Sequence, residues 1–289
     1  MFKKTRRFLS CALAACSVMA CAGTLTACET NNPKVEMQIE FNDETYTLNY
    51  TLSRKVTPNT VKQFLWLAED GFYDNTVIHN YDAEASKMYA GLYDYVTEEG
   101  KDYYSQEKSY KAYFEAHKDT FTNSVFLTKG EESPLNTLYG EFKSNGYQVK
   151  SGTLSESFGS LVMYYHDKNT EANVFVKRVD GDGYSSRQYE YNSATSMFYV
   201  SLATSTKVQE NYCVFASLDE DSKVVLENLQ QAIADYVDEH YHGEMEDFTT
   251  ITSVSVDKED HFVGGLDNTE DFHIPNEPIV IKYVKVTKY

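Results

Sequence analysis

One segment of this sequence contains residue types that could hold a metal ion. His240, His242, Glu244 and Glu246 are four imidazole and carboxylate side chains within a short segment. Imidazole nitrogens and carboxylate oxygens are ordinary zinc ligands. A solvated loop explains the same residues, and we favour that interpretation over a metal site.

Other chemistries that a short motif could indicate are not supported. The segment Asp180-Gly181-Asp182-Gly183 resembles part of a calcium loop, but the loop would begin at Arg178 and end at Tyr189, where a carboxylate is required. A hairpin turn fits this segment better. The chain has neither a phosphate-binding Gly-rich loop nor a Gly-x-Ser-x-Gly elbow, and Cys213 lies in an apolar strand, where we expect it to pack as a small hydrophobe. We therefore expect no metal and no cofactor.

The most informative local pattern is a short helix followed by the nine residues 71–79, Gly-Phe-Tyr-Asp-Asn-Thr-Val-Ile-His. Thr57 is suited to cap the helix, and Pro58 suits its first position. Gly71 follows the helix, where a left-handed residue is favoured. Apolar residues recur at helical spacing and predict one buried stripe, which consists of Val61, Phe64, Leu65 and Ala68.

These letters closely resemble the first helix and following strand of the cyclophilin-type peptidyl-prolyl isomerases. Four further segments resemble family motifs in the same order: Gly140-Glu141-Phe142 with Asn145-Gly146, Gly159-Ser160-Leu161-Val162-Met163, Asn192-Ser193 with Ser196-Met197-Phe198-Tyr199-Val200, and Tyr212-Cys213-Val214-Phe215-Ala216. The resemblance covers roughly residues 45–233, with interruptions. It implies a mainly β fold with α, namely a closed β-barrel capped by two helices, here with an inserted helical segment.

The resemblance also implies a reaction. Prolyl isomerisation must lower a rotation barrier of roughly 18–20 kcal/mol that arises from amide resonance. It needs an apolar slot for the proline ring, a donor for the preceding carbonyl, and a cation that stabilises the twisted state better than the planar one. In the family the cation is an Arg directly after the strand His. Here that position is Asn80, and the position of the family Gln that orients the Arg is Ala90.

The remaining family positions map onto residues that could form the slot or hold the substrate. Tyr165 takes the place of the Asn whose backbone N–H meets the substrate carbonyl, so a main-chain donor is retained there. Tyr199 is the slot aromatic, Met197 replaces a Gln, and Tyr212 replaces the His at the slot's edge. Apolar candidates for the slot wall are Met88, Phe198, Tyr199 and Val208. His79 is expected to be a buried strand residue with a structural role.

Two functions stay open on this sequence. The retained framework favours a cyclophilin-type isomerase that assists the folding of exported proteins, weakened because Asn80 is neutral and cannot present a guanidinium. The loss of both Arg and Gln favours a non-catalytic cyclophilin-like module that binds prolyl-containing peptide segments or a protein partner at the cell surface.

The first 28 residues read as a lipoprotein signal peptide, and 29–34 as a short tether to a domain at 35–289. Lys3, Lys4, Arg6 and Arg7 precede an apolar run that ends in Leu-Thr-Ala-Cys28, which resembles the lipobox of bacterial lipoproteins. That resemblance implies acylation of Cys28 and an extracytoplasmic, membrane-anchored protein. All 44 acidic residues lie beyond this segment, and the chain's net charge of −18 argues against nucleic acid as a partner and against a polybasic grip on anionic lipid.

Alternating patterns predict a hairpin at the start of the domain, with a turn at Asn42-Asp43-Glu44. Two insertions interrupt the family pattern, at about 94–138 and 167–190. In the first, Tyr110, Tyr113, Phe114 and His117 share one helical face, so we expect a docked helix there. A second long helix begins at Asp221 and turns Val225, Leu226, Leu229 and Ile233 inward, and residues 279–286 form a closing strand.

Overall fold

The computed structural model describes residues 30–97, 104–108, 110–117, 125–126, 138, 140–142, 154–164, 172–178, 182–189, 195–203, 213–255 and 269–289. Mainly β structure with few helices fills these ranges, as the sequence predicted. Among the described residues, no helix is both long and apolar enough to cross a membrane.

Eleven strands form one strongly curled sheet. In chain order they are β1 (Lys34–Phe41), β2 (Glu44–Leu52), β3 (Thr76–Val77), β4 (Asn80–Asp82), β5 (Lys87–Ala90), β6 (Tyr93–Val96), β7 (Tyr104–Glu107), β9 (Leu161–Met163), β12 (Phe198–Ser201), β13 (Cys213–Leu218) and β16 (Val280–Lys288). Their spatial order is β4-β5-β12-β9-β13-β2-β1-β16-β3-β6-β7.

Smaller elements surround this sheet. A three-stranded sheet contains β8 (Val125–Phe126), β10 (Ala172–Lys177) and β11 (Tyr184–Tyr189), and a two-stranded hairpin contains β14 (Thr249–Ser255) and β15 (Thr269–Pro275). The helices are α1 (Pro58–Glu69), α2 (Tyr110–His117), α3 (Glu220–Tyr241) and α4 (Met245–Phe248).

The first hairpin forms as its alternating pattern predicts. Apolar residues of β1 and β2 are buried at every second position, and the strands pair from Lys34↔Thr51 to Phe41↔Glu44. Asn42 and Asp43 have φ angles of 48° and 62°, the left-handed values that a tight two-residue turn requires. This turn fixes the register that points the apolar side chains into the core.

The link between β3 and β4 connects strands that are far apart in the sheet order. The amide of Ile78 donates to the carbonyl of Ile279, just before β16, at 2.8 Å, while the amide of His79 donates to the carbonyl of Tyr89 in β5 at 3.0 Å. Two successive residues therefore bond to the eighth and the second strand regions of the sheet order. The Asn80 position lies directly at this junction.

Helix α1 is buried along the predicted stripe, but its N-terminus is capped differently from our expectation. Thr57 makes no side-chain capping bond; its hydroxyl donates to the carbonyl of Ser53 instead. The cap is the buried Glu141, whose carboxylate accepts from the amides of Asn59 at 3.0 Å and Thr60 at 2.8 Å. Burial raises the pKa of Glu141, and these hydrogen bonds partly oppose the shift. A distant residue therefore satisfies the helix amides that Thr57 leaves unpaired.

The other end of α1 and the whole of α3 follow the sequence more closely. Gly71 is left-handed, with φ 72°, as expected after a helix C-terminus. The side chain of Asp219 caps α3 by accepting from the amide of Ser222 at 2.9 Å. Leu226, Leu229 and Ile233 are buried as predicted, and Val225 packs at the edge of the same core.

Both insertions contain regular structure. The predicted helix is α2, which docks through buried Tyr110 and Phe114, while the ring of Tyr113 meets Phe72 at 4.8 Å and its hydroxyl donates to Asp70. The second insertion contains the hairpin β10–β11; the turn residues Asp180 and Gly181 lie outside the described residues. Strand β8 of the first insertion pairs with β10 of the second, a connection that the sequence did not reveal.

The long-range cap gives a stability prediction. Glu141→Gln replaces one acceptor oxygen with an amide donor that faces the N-terminal amides of α1, so we expect unfolding free energy to fall by about 1–3 kcal/mol. Urea denaturation measures the change. Glu227→Gln, an exposed position on α3, is the matched control and should be neutral. Equal midpoints for the two variants would show that Glu141 does not cap the helix.

Candidate functional site

Five residues stand in register across five neighbouring strands and define the surface on which the predicted site lies. Asn80 pairs with Tyr89, Tyr89 with Tyr199, Tyr199 with Val162, and Val162 with Val214. Because paired residues in a sheet share a face, these side chains form one line, which we call the Asn80 row. The row contains two of the predicted site residues, Asn80 and Tyr199.

Three other predicted residues lie on the opposite face of the same strands. Met88 pairs with Tyr81 and Val200, and Ala90 pairs with Phe198. Met88, Ala90 and Phe198 all belong to the main core and are fully buried. The structure therefore places Tyr89, rather than Met88 or Ala90, beside Asn80 and Tyr199.

Close packing of two strands explains the glycine that follows Ala90. Gly91 has a φ of 92°, and a Cβ atom there would lie 2.4 Å from the carbonyl oxygen of Ser196. The hydroxyl of Ser196 donates to the carbonyl of Gly91 at 2.7 Å. This contact holds β5 against β12 and so keeps Tyr89 in register with Tyr199.

Tyr199 is the middle residue of the row and lies in the small apolar cluster that forms the end of the row away from Asn80. It packs with Val162 and Val214, and the partly buried Tyr89 and Leu154 border them. The rings of Tyr199 and Tyr89 are 5.3 Å apart, and the Lys87 ammonium lies 4.6 Å from the centre of the Tyr199 ring. Tyr199 itself is only 2% exposed. This end of the row combines an aromatic wall with a cation that sequence reasoning did not identify.

The other end of the row is covered by strand β15. The backbone amide of His273 donates to Oδ1 of Asn80 at 2.9 Å. The ring of Phe272 lies 5.1 Å from that of His79, whose other neighbour is Tyr93 at 5.5 Å. Asn80 is 6% exposed as a result.

The covering strand brings its own apolar contacts. Phe272 is buried in a cluster with Met197, Leu92 and Tyr164, and Ile274 packs at the edge of this cluster. Met197, which the sequence placed in the site, is therefore on the site face but lies beneath the hairpin. His79 is buried among rings, consistent with a structural role.

Asn80 carries no charge. Two arginines that could bring a guanidinium to this position, Arg54 and Arg178, bond elsewhere. Arg54 donates from Nη1 to the carbonyl of Thr30 at 2.8 Å, and Arg178 donates from Nε to Ser185 at 3.4 Å in the β10–β11 hairpin. The Arg187 side chain lies outside the described residues. The cation described beside the Asn80 row is Lys87, whose ammonium lies over the Tyr199 ring.

The remaining predicted residues fall into two groups. Tyr165, Val208, Tyr212 and Cys28 lie outside the described residues. The His and Glu residues at 240–246 span the end of α3 and the start of α4. His242 is the left-handed C-cap of α3, with φ 55°, and Glu244 precedes α4. Within the described ranges, no group of three His, Cys, Asp or Glu side chains is arranged to hold a metal ion.

Comparison with known proteins identifies the class of this domain. The family model for "Cyclophilin type peptidyl-prolyl cis-trans isomerase/CLD" matches residues 36–256, well over half of the chain. The chain therefore belongs to the cyclophilin-type peptidyl-prolyl isomerase family, as its motifs predicted.

Solved structures that match include other cyclophilins. A cyclophilin type isomerase from Cryptosporidium parvum has 14% identity and a TM-score of 0.41, with 89% of this chain and 99% of that chain covered. The same Cryptosporidium protein in the presence of the dipeptide Ala-Pro matches with a TM-score of 0.39. The Mimivirus cyclophilin has 16% identity and a TM-score of 0.35, covering 68% of this chain and 78% of its own. A comparison with curated proteins found no match.

The contacts of β15 predict how the hairpin is held. Phe272→Ala removes the ring from a buried apolar cluster, a change that costs about 3–5 kcal/mol for a buried Phe. An isolated two-stranded hairpin is marginally stable, so amide exchange in β14 and β15 should accelerate by on the order of a hundredfold or more. Hydrogen exchange with mass spectrometry measures this change.

Ile251→Ala is the matched control, because Ile251 belongs to the same hairpin but is 62% exposed. It should leave the exchange rates nearly unchanged. Equal acceleration in both variants would mean that the hairpin is not held by Phe272.

Proposed function

We propose that this chain is a cyclophilin-type domain that binds extended, prolyl-containing segments of exported proteins with little or no isomerase turnover, and that it is anchored to a membrane through an acylated Cys28 on the outer side. The observation that carries this proposal is the hydrogen bond from the His273 amide to Asn80 Oδ1. It occupies the position at which the family presents its cation.

The reaction explains why this contact matters. Rotation about the prolyl bond is accelerated by charge that stabilises the twisted nitrogen more than the planar amide. Asn80 is neutral, its oxygen accepts from β15, and the side chain is nearly excluded from solvent. Both the charge and the access that catalysis needs are thus missing at this end of the row.

Binding without turnover is supported by the groups beside Tyr199. Tyr89 and Leu154 are only partly buried, and with the Lys87 ammonium over the buried Tyr199 ring they present aromatic, aliphatic and cationic groups side by side. Aromatic surfaces that are partly exposed suit the rings of proline, and a neighbouring ammonium suits backbone carbonyls.

A second candidate function is weak isomerisation of exported proteins. Family membership and the retained Tyr199–Val162 packing favour it. In that case the cation is Lys87, which lies over the ring of the aromatic slot residue and belongs to β5, the strand beside Asn80.

Turnover measurements separate these candidates. Wild-type protein should accelerate a chromogenic prolyl-peptide assay little above the uncatalysed rate, and so should Phe272→Ala, which uncovers Asn80 without adding charge. Asn80→Arg combined with Phe272→Ala should gain about tenfold, less than the 10²–10³ that a preorganised donor supplies.

Asn80→Gln with Phe272→Ala is the matched neutral control and should stay at background. A wild-type rate like that of ordinary cyclophilins would overturn the proposal. A large gain from Phe272→Ala alone would show that the hairpin, and not the missing charge, limits catalysis.

Peptide binding is tested by NMR titration with an Ala-Pro-containing peptide. We expect amide shifts at Lys87, Tyr89 and Leu154 and none in the β1–β2 hairpin. Tyr89→Ala should weaken binding by about 1 kcal/mol or more, as loss of a contacting aromatic ring does, whereas Tyr95→Ala on β6 should not. Absence of shifts along the Asn80 row would contradict peptide binding at this site.

A further inference from the structure

The end of the domain at which the tether begins is basic, although the chain as a whole is strongly acidic. Lys34 at the start of β1, Lys288 at the end of β16, and Lys55 after β2 are exposed. Arg54 precedes Lys55. We call these four residues the tether-end patch; the net charge of the whole chain is −18.

Backbone contacts hold the start of the chain against this patch. The amide of Thr30 donates to the carbonyl of Tyr289 at 3.0 Å, and the amide of Arg54 donates to the carbonyl of Asn31 at 3.0 Å. Nη1 of Arg54 also donates to the carbonyl of Thr30 at 2.8 Å. The described chain is therefore fastened from Thr30 onward, two residues after Cys28.

This spacing limits the distance between the patch and a lipid on Cys28. Two extended residues span at most about 7 Å, which is comparable with the distance of about 8 Å over which charges act at physiological salt. A lipid on Cys28 would thus bring the fastened end of the domain into the electrostatic range of the bilayer surface.

The arrangement of the lysines is unfavourable without an anionic partner. Lys34 and Lys288 are direct cross-strand partners, and like charges in that position repel. None of the ion pairs between described residues includes Lys34, Lys55 or Lys288. Acidic groups border the patch on one side, where Glu69 and Asp74 line a pocket of about 550 Å³ beside Tyr289.

We propose that the tether-end patch docks on anionic lipid headgroups of the membrane that carries the Cys28 anchor, which fixes the orientation of the domain. The inference rests on the proposed anchor. Each basic side chain near such a surface adds about fivefold to association, so three or four act as a second attachment signal beside an acyl chain. The overall negative charge argued against a basic contact with anionic lipid, whereas the tether-end patch favours one.

The test uses the segment from Cys28 to Tyr289, which contains every described element. Its Cys28 thiol is coupled to a maleimide lipid in vesicles, while Cys213, 1% exposed, does not react. Lysine acetylation is then mapped by mass spectrometry on phosphatidylcholine vesicles with or without about one third phosphatidylglycerol. We expect Lys34, Lys55 and Lys288 to be modified several-fold more slowly on the anionic vesicles and exposed Lys62 to be unchanged.

A second measurement uses the same segment uncoupled, with Cys28 blocked, in vesicle sedimentation. Lys34→Gln, Lys55→Gln and Lys288→Gln together should reduce binding to anionic vesicles, whereas the charge-matched set Lys62→Gln, Arg178→Gln and Lys223→Gln should not. Equal acetylation of all four lysines on both vesicles, or equal binding of the two triple variants, would overturn the docking proposal.

The anchor itself is tested separately by fatty-acid labelling of the full chain in a bacterial host. Cys28→Ser should lose the label, and Cys21→Ser, at a poorer lipobox, should keep it. If both variants keep the label, the anchor at Cys28 is refuted. The vesicle result on the tether-end patch is not affected by that outcome.

Discussion

The hydrogen bond from the His273 amide to Asn80, with the Phe272 ring packed on His79, fixes strand β15 across the Asn80 row. Met197 belongs to the cluster beneath that strand, and the aromatic pair Tyr89–Tyr199 comes next to Asn80 in the row. The hairpin is docked on the domain through Phe272, which is buried in a cluster with Leu92, Tyr164 and Met197.

The covering strand and the neutral residue beneath it are mutually compatible. A guanidinium at position 80 would have to be buried under β15, which is costly for a charged group that is not paired. Asn80 instead offers a neutral oxygen that accepts from the His273 amide. A neutral residue at this position therefore permits the hairpin to dock, and in the function that we propose it also leaves the site without a catalytic charge.

Local sequence patterns predicted the fold better than they predicted the site. Period-two burial in β1 and β2, helical spacing in α1 and the family motifs predicted the elements correctly because each is encoded within a few residues. The cap by Glu141 and the cover by β15 could not be predicted in this way, because their partners are 82 and 193 residues apart in sequence. Register was also not predicted: Met88 and Ala90 were assigned to the site by their places in the family motif, but the pairing with β12 turns Tyr89 to the site face.

The contact between β15 and the Asn80 row is most directly tested by nuclear Overhauser measurements on the protein in solution. With Phe272 and His79 rings 5.1 Å apart, we predict cross-peaks between their ring protons, together with a slowly exchanging His273 amide. Absence of these cross-peaks, with a His273 amide that exchanges as fast as an exposed one, would contradict the central claim that the hairpin closes this site.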